Sequence, residues 1–292
     1  MDKIQARKIV ERFYRKANPS EDDQFVYTEA LGFLIEEEKR PSDMMELGGY
    51  YYELRNFDLA LKYYEMAAAY DYDVAWECLG YIWYYGRTGE KDYKKAFEYF
   101  SKCMKKGNIV ASYKIADMYK NGYYVEKDES KYEAIIESLY PKVKHVTNLG
   151  APVPEIFTRL AKIRVKQGKK KEAIDLYLGA KDFLAQRISY NAFFGNLNIM
   201  NWLVNDLYVL IEFDPMDFDF FDLYYVLKKP CEVIFYYEQN EYSIKAQMEA
   251  DECVIQFGEN WYRNVSDFMS KAMIKGIPLT KINGMLYGFE VE

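Results

Sequence analysis

The chain of 292 residues is short of the residue types on which most catalytic and metal chemistry depends. It has a single histidine, His145, set in a lysine-bearing stretch with no nucleophile near it in sequence. Its four cysteines, Cys78, Cys103, Cys231 and Cys253, form no CxxC pair, and with one histidine beside them no structural zinc site is expected. No glycine-rich phosphate loop follows a strand pattern, and no cofactor is expected. No window approaches 18 consecutive apolar residues, so no helical membrane span is expected. The opening MDKIQARKIVERFYRK carries no apolar signal-peptide core, which leads us to expect a cytoplasmic protein with reduced thiols. Positive charge is also wanting: the net charge is −7, which argues against a general nucleic-acid binder. What the chain has in excess is aromatic side chains, 30 Tyr and 18 Phe against four Trp. Tyrosine joins an apolar ring to a hydroxyl that needs a partner, which suits half-buried positions on stacked helices.

The second feature present is internal repetition. At an offset of 36, Ala75 matches Ala111, Leu79 matches Ile115, Trp83 matches Tyr119, Gly86 matches Gly122, Asp92 matches Asp128 and Lys95 matches Lys131. The preceding segment has the same plan with a shorter turn. Leu47, Gly48 and Tyr51 match Leu79, Gly80 and Trp83 at an offset of 32, and Ala60, Tyr63 and Tyr64 match Ala96, Tyr99 and Phe100 at 36. The four-residue difference falls at Arg55-Asn56-Phe57-Asp58, between two helices. A further unit at Leu160, Ala161, Gly168, Ala173, Tyr177 and Ala180 comes after the Pro-bearing break 149–154. Leu79, Gly80 and Trp83 share one helix face, the glycine admitting a neighbouring helix and the ring filling the next turn. Gly86 and Gly122 stand where a left-handed C-cap is needed. One such hairpin cannot bury its apolar face alone, so stacking into a solenoid is expected.

The stretch 73–107, DVAWECLGYIWYYGRTGEKDYKKAFEYFSKCMKKG, resembles the Sel-one-like repeat, a longer-looped relative of the tetratricopeptide repeat. Segments 43–72 and 155–181 resemble ordinary tetratricopeptide units. Segment 109–142 matches in its first helix, but Tyr132 stands for the expected alanine, Ile135-Ile136 replace the ring pair, and Pro141 is expected to end it. The resemblance implies a mainly α protein, a right-handed α-solenoid of helix-turn-helix repeats acting as an adaptor or scaffold for a protein or peptide. It further implies that the first helix of each hairpin lines a groove, in which Met45, Tyr52, Glu77, Tyr81, Tyr84, Tyr85, Tyr113, Asp117, Lys120, Thr158 and Lys162 would meet the partner. Tyr84 and Tyr113 are accordingly expected to be removable without loss of stability, and Glu77 and Asp117 to favour a partner bearing Lys or Arg.

Around the repeats, Ile4–Lys16 and Gln24–Lys39 read as an N-terminal capping hairpin within residues 1–40, broken at Asn18-Pro19-Ser20 with Ser20 as N-cap. A closing helix is expected over 196–212, its apolar face around Trp202 and Leu203 covered by the C-terminal segment. After Asp214-Pro215 the composition favours strands: 231–237 and 242–248 as a hairpin, 252–257 as a third strand, a helix over 265–274 and a last strand over 285–291. A solenoid domain over 1–212 and a small α+β module over 216–292 are therefore expected. The acids at 212, 214, 217, 219 and 222 lack the glycine of a calcium loop and are interrupted by Phe218, Phe220 and Phe221, so no metal is assigned. Two other functional readings compete with the groove: an enzymatic or small-molecule-sensing C-terminal module, and homodimerisation through its open sheet edge.

Overall fold

The computed structural model describes residues 1–16, 19–249 and 252–292; Asn18, part of the expected helix break, lies outside them. The Cα positions group into two compact units, Met1–Ile135 and Ile136–Glu292, so the division lies within a helix, whereas the sequence reading places it at 212–216.

The first unit consists of helical hairpins. α1 (Lys3–Phe13) and α2 (Glu21–Glu38) form the first, each opened by a capping box, on Asp2 and Ser20 respectively. Arg7 ties this hairpin to the next, donating to both carboxylate oxygens of Asp43 and to Glu38. α3 (Pro41–Glu53) and α4 (Phe57–Ala68) come next, then α5 (Asp73–Tyr85) and α6 (Tyr93–Lys105), then α7 (Ile109–Asn121). α8 (Glu129–Val143) crosses the division between the units. Pro141 does not end α8, contrary to the sequence reading. It removes one N–H in the last turn, which the helix outlasts by two residues.

The repeat register is visible in the bonding. Gly86 and Gly122 both cap in the left-handed region, at φ 62° and 70°. Asp92 N–H donates to the Trp83 carbonyl as Asp128 N–H does to that of Tyr119. Both aspartates then cap the next helix, accepting from the amides of Lys95 and Lys131. Each lysine returns over the matching ring, Lys95 at 4.0 Å from Trp83 and Lys131 at 4.9 Å from Tyr119. The small-residue role is equally direct: a Cβ on Gly80 would lie 2.5 Å from the Phe100 ring, and one on Gly48 2.7 Å from Tyr64.

The second unit carries α9 (Val153–Lys166), α10 (Lys170–Tyr190) and α11 (Phe194–Leu210) before a short 3-10 turn (Phe220–Asp222) and α12 (Leu223–Val226). An antiparallel sheet is then built from β1 (Cys231–Tyr237), β2 (Asn240–Glu249), β3 (Glu252–Phe257), β4 (Asn260–Tyr262) and β7 (Tyr287–Val291), in the order β4-β3-β2-β1-β7. α13 (Val265–Lys271) lies against it through Phe268, whose ring meets Phe257 and Tyr262 edge-on. Glu238 and Gln239 form a two-residue turn in the left-handed region, φ 48° and 63°, as a right-twisted hairpin requires. Two expectations are corrected. Residues 273–274 are not helical but form β5 (Met273–Ile274), paired with β6 (Ile277–Pro278), and β4 has no counterpart in the sequence reading.

The turn that precedes α12 is held to α10 by an ion cluster in which Lys181 and Asp222 are buried and Asp219 is exposed. Lys181 Nζ lies 2.6 Å from Asp222 and 2.9 Å from Asp219. Burial opposes the Lys181 charge, but the two carboxylates outweigh it and hold its pKa above the ordinary value. The acidic loop thus works as an anchor, with Phe220 and Phe221 fully buried beside it. Leu203 is buried on α11, but Trp202 is 63% exposed, which corrects the expectation that the module covers it. The buried face of α11 runs through Leu197, Met200, Leu203, Val204 and Leu207, and Trp202 points about 100° away from Leu203, off that face.

A tyrosine strip on successive first helices

The sequence-derived tyrosines from α5 and α7 converge, but around a residue the sequence reading passes over. Lys114 on α7 is 4% exposed. Its ammonium lies 4.7 Å from the Tyr85 ring centroid, 4.9 Å from Tyr81, 5.0 Å from Tyr84 and 5.3 Å from Tyr113. It donates to Tyr85 Oη at 2.6 Å, and the hydroxyls of Tyr81 and Tyr113 bond to each other at 2.6 Å. Four ring faces and a phenol oxygen replace much of the water a lysine loses on burial, which is how a cation comes to lie inside a helical stack. Burial holds the Tyr81 hydroxyl well above its ordinary pKa, with Tyr113 adding to the effect, so this phenol stays neutral.

Glu77 is bonded to Asn108 Nδ2 at 2.7 Å. Burial raises its pKa, while Asn108 and then the Lys114 charge draw it down. Its carboxylate is therefore already answered within the fold. On the other side of the cluster, the Arg87 guanidinium lies 4.8 Å from Tyr85, 5.5 Å from Phe57 and 6.0 Å from Tyr52, and its Nε donates to Tyr52 Oη at 3.3 Å. Tyr52 on α3, Arg87, Tyr85 on α5 and Lys114 on α7 form one continuous set of contacts.

The other sequence-derived positions have varied surroundings. Tyr84 and Tyr113 are 9% and 3% exposed, which corrects the expectation that they can be removed without loss of stability; both fill space between helices. Tyr85 is 38% exposed and is the strip's most accessible ring. Met45 is half-buried, packed against both Leu47 and Leu79 clusters. Asp117 is half-buried on α7, and Lys120 lies 4.9 Å over the Tyr132 ring. Thr158 and Lys162 belong to the second unit. There Thr158 Oγ1 donates to the Pro154 carbonyl, and Lys162 pairs with Asp206 at 2.8 Å. A signal for Lys114 was available: it stands 36 residues after Cys78, so a charged residue occupies a packed position of the repeat.

Cys78, Cys103, Cys231 and Cys253 are free thiols, and burial pushes Cys78 and Cys103 up to about 12. Among the described residues no group of three His, Cys, Asp or Glu side chains could hold a metal ion. No helix among them is long and apolar enough to cross a membrane.

The fold and strip define a helical-repeat protein of tetratricopeptide-like plan. Solved structures with a similar course include the Sel1 repeat protein from Oxalobacter formigenes. It is 15% identical, with 70% of this chain and 89% of that one covered and a TM-score of 0.45. Another is c5321, a protective antigen of uropathogenic Escherichia coli strains displaying an SLR fold, at 17% identity, 65% and 46% coverage and a TM-score of 0.42. A third is PilW, a type IV pilus biogenesis factor, at 15% identity, 71% and 92% coverage and a TM-score of 0.43. No family model and no curated protein matches the chain. With TM-scores below 0.5, the repeat assignment rests instead on the 36-residue register of caps, bonds and ring contacts described above.

Proposed function

We propose that the protein is an interaction scaffold of the cytoplasm that holds a protein or peptide along the first helices of its N-terminal unit. The observation that carries this reading is the unbroken run from Tyr52 through Arg87 and Tyr85 to Lys114, Tyr81 and Tyr113, supplied by three successive repeats. Its inner members are locked by hydrogen bonds and cation–ring contacts, so the surface that Tyr85 presents is preorganised, and a partner loses little entropy in meeting it. Asp117 supplies an acidic position for a lysine or arginine of the partner. Four free thiols support a reducing compartment.

The test is site-specific photocrosslinking of the full chain in cells, with benzoylphenylalanine at Tyr85, at Lys94 on the exposed face of α6, and at Trp261 on the sheet. The scaffold reading expects a discrete protein adduct from Tyr85 and none from Lys94. Adducts from Trp261 alone would move the working surface to the strand-rich module. A chain crosslinked to a second copy of itself through Trp261 would favour homodimerisation.

A further inference from the structure

The two helices of the first hairpin carry opposite charge. α1 and the turn after it hold Lys3, Arg7, Lys8, Arg12, Arg15 and Lys16 against a single acid, Glu11, whereas α2 holds seven acids and no lysine or arginine. Some of these charges close the hairpin: Lys3 pairs with Glu37, Arg7 with Glu38 and Lys16 with Asp23. The others point away from it. Ile4, Lys8 and Arg12 recur at every fourth residue on the side of α1 opposite the buried Ala6 and Val10. Arg15 continues that side, its amide bonded to the Arg12 carbonyl. On α2, Asp22, Phe25, Glu29 and Glu36 lie opposite the buried Tyr27, Leu31 and Leu34. Lys8, Arg12, Arg15, Asp22, Glu29 and Glu36 are all exposed, and none forms an ion pair or side-chain hydrogen bond among the described residues.

The two outward faces match each other in spacing as well as in sign. The ion pairs within the hairpin show α1 and α2 lying antiparallel. Set antiparallel in one register, the outward faces bring Arg15 to Asp22, Arg12 to Phe25, Lys8 to Glu29 and Ile4 to the half-buried Phe33. Two of these meetings are ion pairs, one lays a guanidinium on an exposed ring, and one joins apolar side chains. Ile4 and Phe25 are 68% and 65% exposed, so the faces offer apolar area between their charges. The stack also shows how such a face is used. Each later first helix lies between two second helices, α3 between α2 and α4, and α5 between α4 and α6. Among the described residues α1 lies against α2 alone, and a further α2 on its outward side would repeat the arrangement.

We propose that these faces are a self-association surface, on which the outward face of α1 takes the outward face of α2 from a second copy of the chain. The occupant is chosen by charge complementarity: the chain itself carries the acidic helix whose spacing fits the basic one. The inference is independent of the scaffold reading, because it uses neither Tyr85 nor the tyrosine strip.

The experiment is light scattering of the full chain over a concentration series at low ionic strength. The mass should rise above that of one chain, and salt at about 1 M, where the Debye length is about 3 Å, should weaken the association. Lys8→Glu with Arg15→Glu, and Asp22→Lys with Glu29→Lys, should each move the midpoint to a concentration higher by roughly tenfold or more. An equimolar mixture of these two variants should associate again, because each then meets the other with opposite charge at both faces. Lys94→Glu with Lys105→Glu, exposed on α6, should leave the midpoint unchanged. Far-UV ellipticity checks that the variants are folded, and the milder Lys8→Gln with Arg15→Gln should move the midpoint in the same direction as the reversal. A single-chain mass at every concentration, association unchanged in both reversed variants, or a mixture that stays apart overturns the proposal. Cosedimentation of single chains with phosphatidylserine vesicles, lost in Lys8→Gln with Arg15→Gln, also overturns it and marks the basic face as one for an anionic lipid surface.

Discussion

Two adjacent glycines of α3 provide a sharp test of the repeat packing, because they require opposite responses to the same substitution. A Cβ on Gly48 would lie 2.7 Å from two ring carbons of Tyr64, a side chain only 4% exposed and so without room to move aside. A Cβ on Gly49 would have nothing within 4 Å. Replacing an interior helical glycine by alanine contributes about 1 kcal/mol through backbone entropy. At Gly49 that gain stands alone, so Gly49→Ala should stabilise the chain by about 1 kcal/mol. At Gly48 it is opposed by overpacking, typically about 1–3 kcal/mol, and the net is a loss of up to about 2 kcal/mol. Gly80→Ala, closer still at 2.5 Å from the Phe100 ring, should fall at the severe end. Urea titrations monitored by far-UV ellipticity read the difference, and Tm should move in opposite directions for the two α3 variants. Equal stabilisation by Gly48→Ala and Gly49→Ala would refute the close approach of α3 and α4, and with it the register.

Other outcomes rest on the same kind of contact. Tyr113→Phe deletes the hydroxyl bond to Tyr81 and should cost about 1 kcal/mol, whereas Tyr113→Ala empties a buried site and should cost about 3–5 kcal/mol in the same titration. Lys181→Met should cost about 3–5 kcal/mol near neutral pH, because it leaves the buried Asp222 carboxylate without its cation. Burial, then Asp219, already raise the Asp222 pKa against the pull of Lys181, and removing Lys181 raises it further. A folded-state pKa above the unfolded one makes the variant most stable at low pH and progressively less so as pH rises through it, a slope that wild-type titrations at matched pH should show less steeply because Lys181 lowers the Asp222 pKa there. Cys78 and Cys103, with thiols pushed up to about 12, should resist iodoacetamide at pH 8, where roughly one in ten thousand would be thiolate, and react only on unfolding; rapid native-state labelling at either would contradict their placement.

The parts of this structure legible in the sequence are those set by local chemistry. The caps at Ser20, Asp92 and Asp128, and the glycines at 48, 80, 86 and 122, act within one turn or one hairpin, so spacing alone exposes them. The long strands were legible because Val233, Ile234, Phe235, Tyr236 and Tyr237 form one run of β-formers, even though their burial, which alternates, is not visible in the residue types. β4 has three residues and β5 and β6 two each, too few for any alternation to register. In the candidate site, the first helices and their tyrosines were legible but the direction of the rings was not. Lys114 reads as a polar surface residue by type, and only the meeting of rings from α5 and α7 turns its position into an interior one. Trp202 fails in the converse way, since α11 is apolar around most of its circumference and the sequence does not mark which side the rest of the unit will cover.

Lys114 and Arg87 belong together as a statement about how such a stack acquires specificity. Each stands at a repeat position where a neighbouring repeat carries an uncharged residue, Cys78 for Lys114 and Tyr123 for Arg87. A bare charge at either place would oppose folding, because half-buried and buried cations lose hydration. In both cases rings supplied by the repeat pattern already surround the position: four tyrosines for Lys114, and Tyr52, Phe57 and Tyr85 for Arg87. The rings exist to stitch helices together, and their faces carry partial negative charge whatever they stitch. A cation introduced there is stabilised without any change in helix spacing, so charge can be placed along the strip one position at a time while the 36-residue register is kept. On this account the abundance of tyrosine and the placement of charge have one cause: the side chains that hold successive repeats together are also those that allow charged residues to be held rigidly beside the exposed ring of Tyr85.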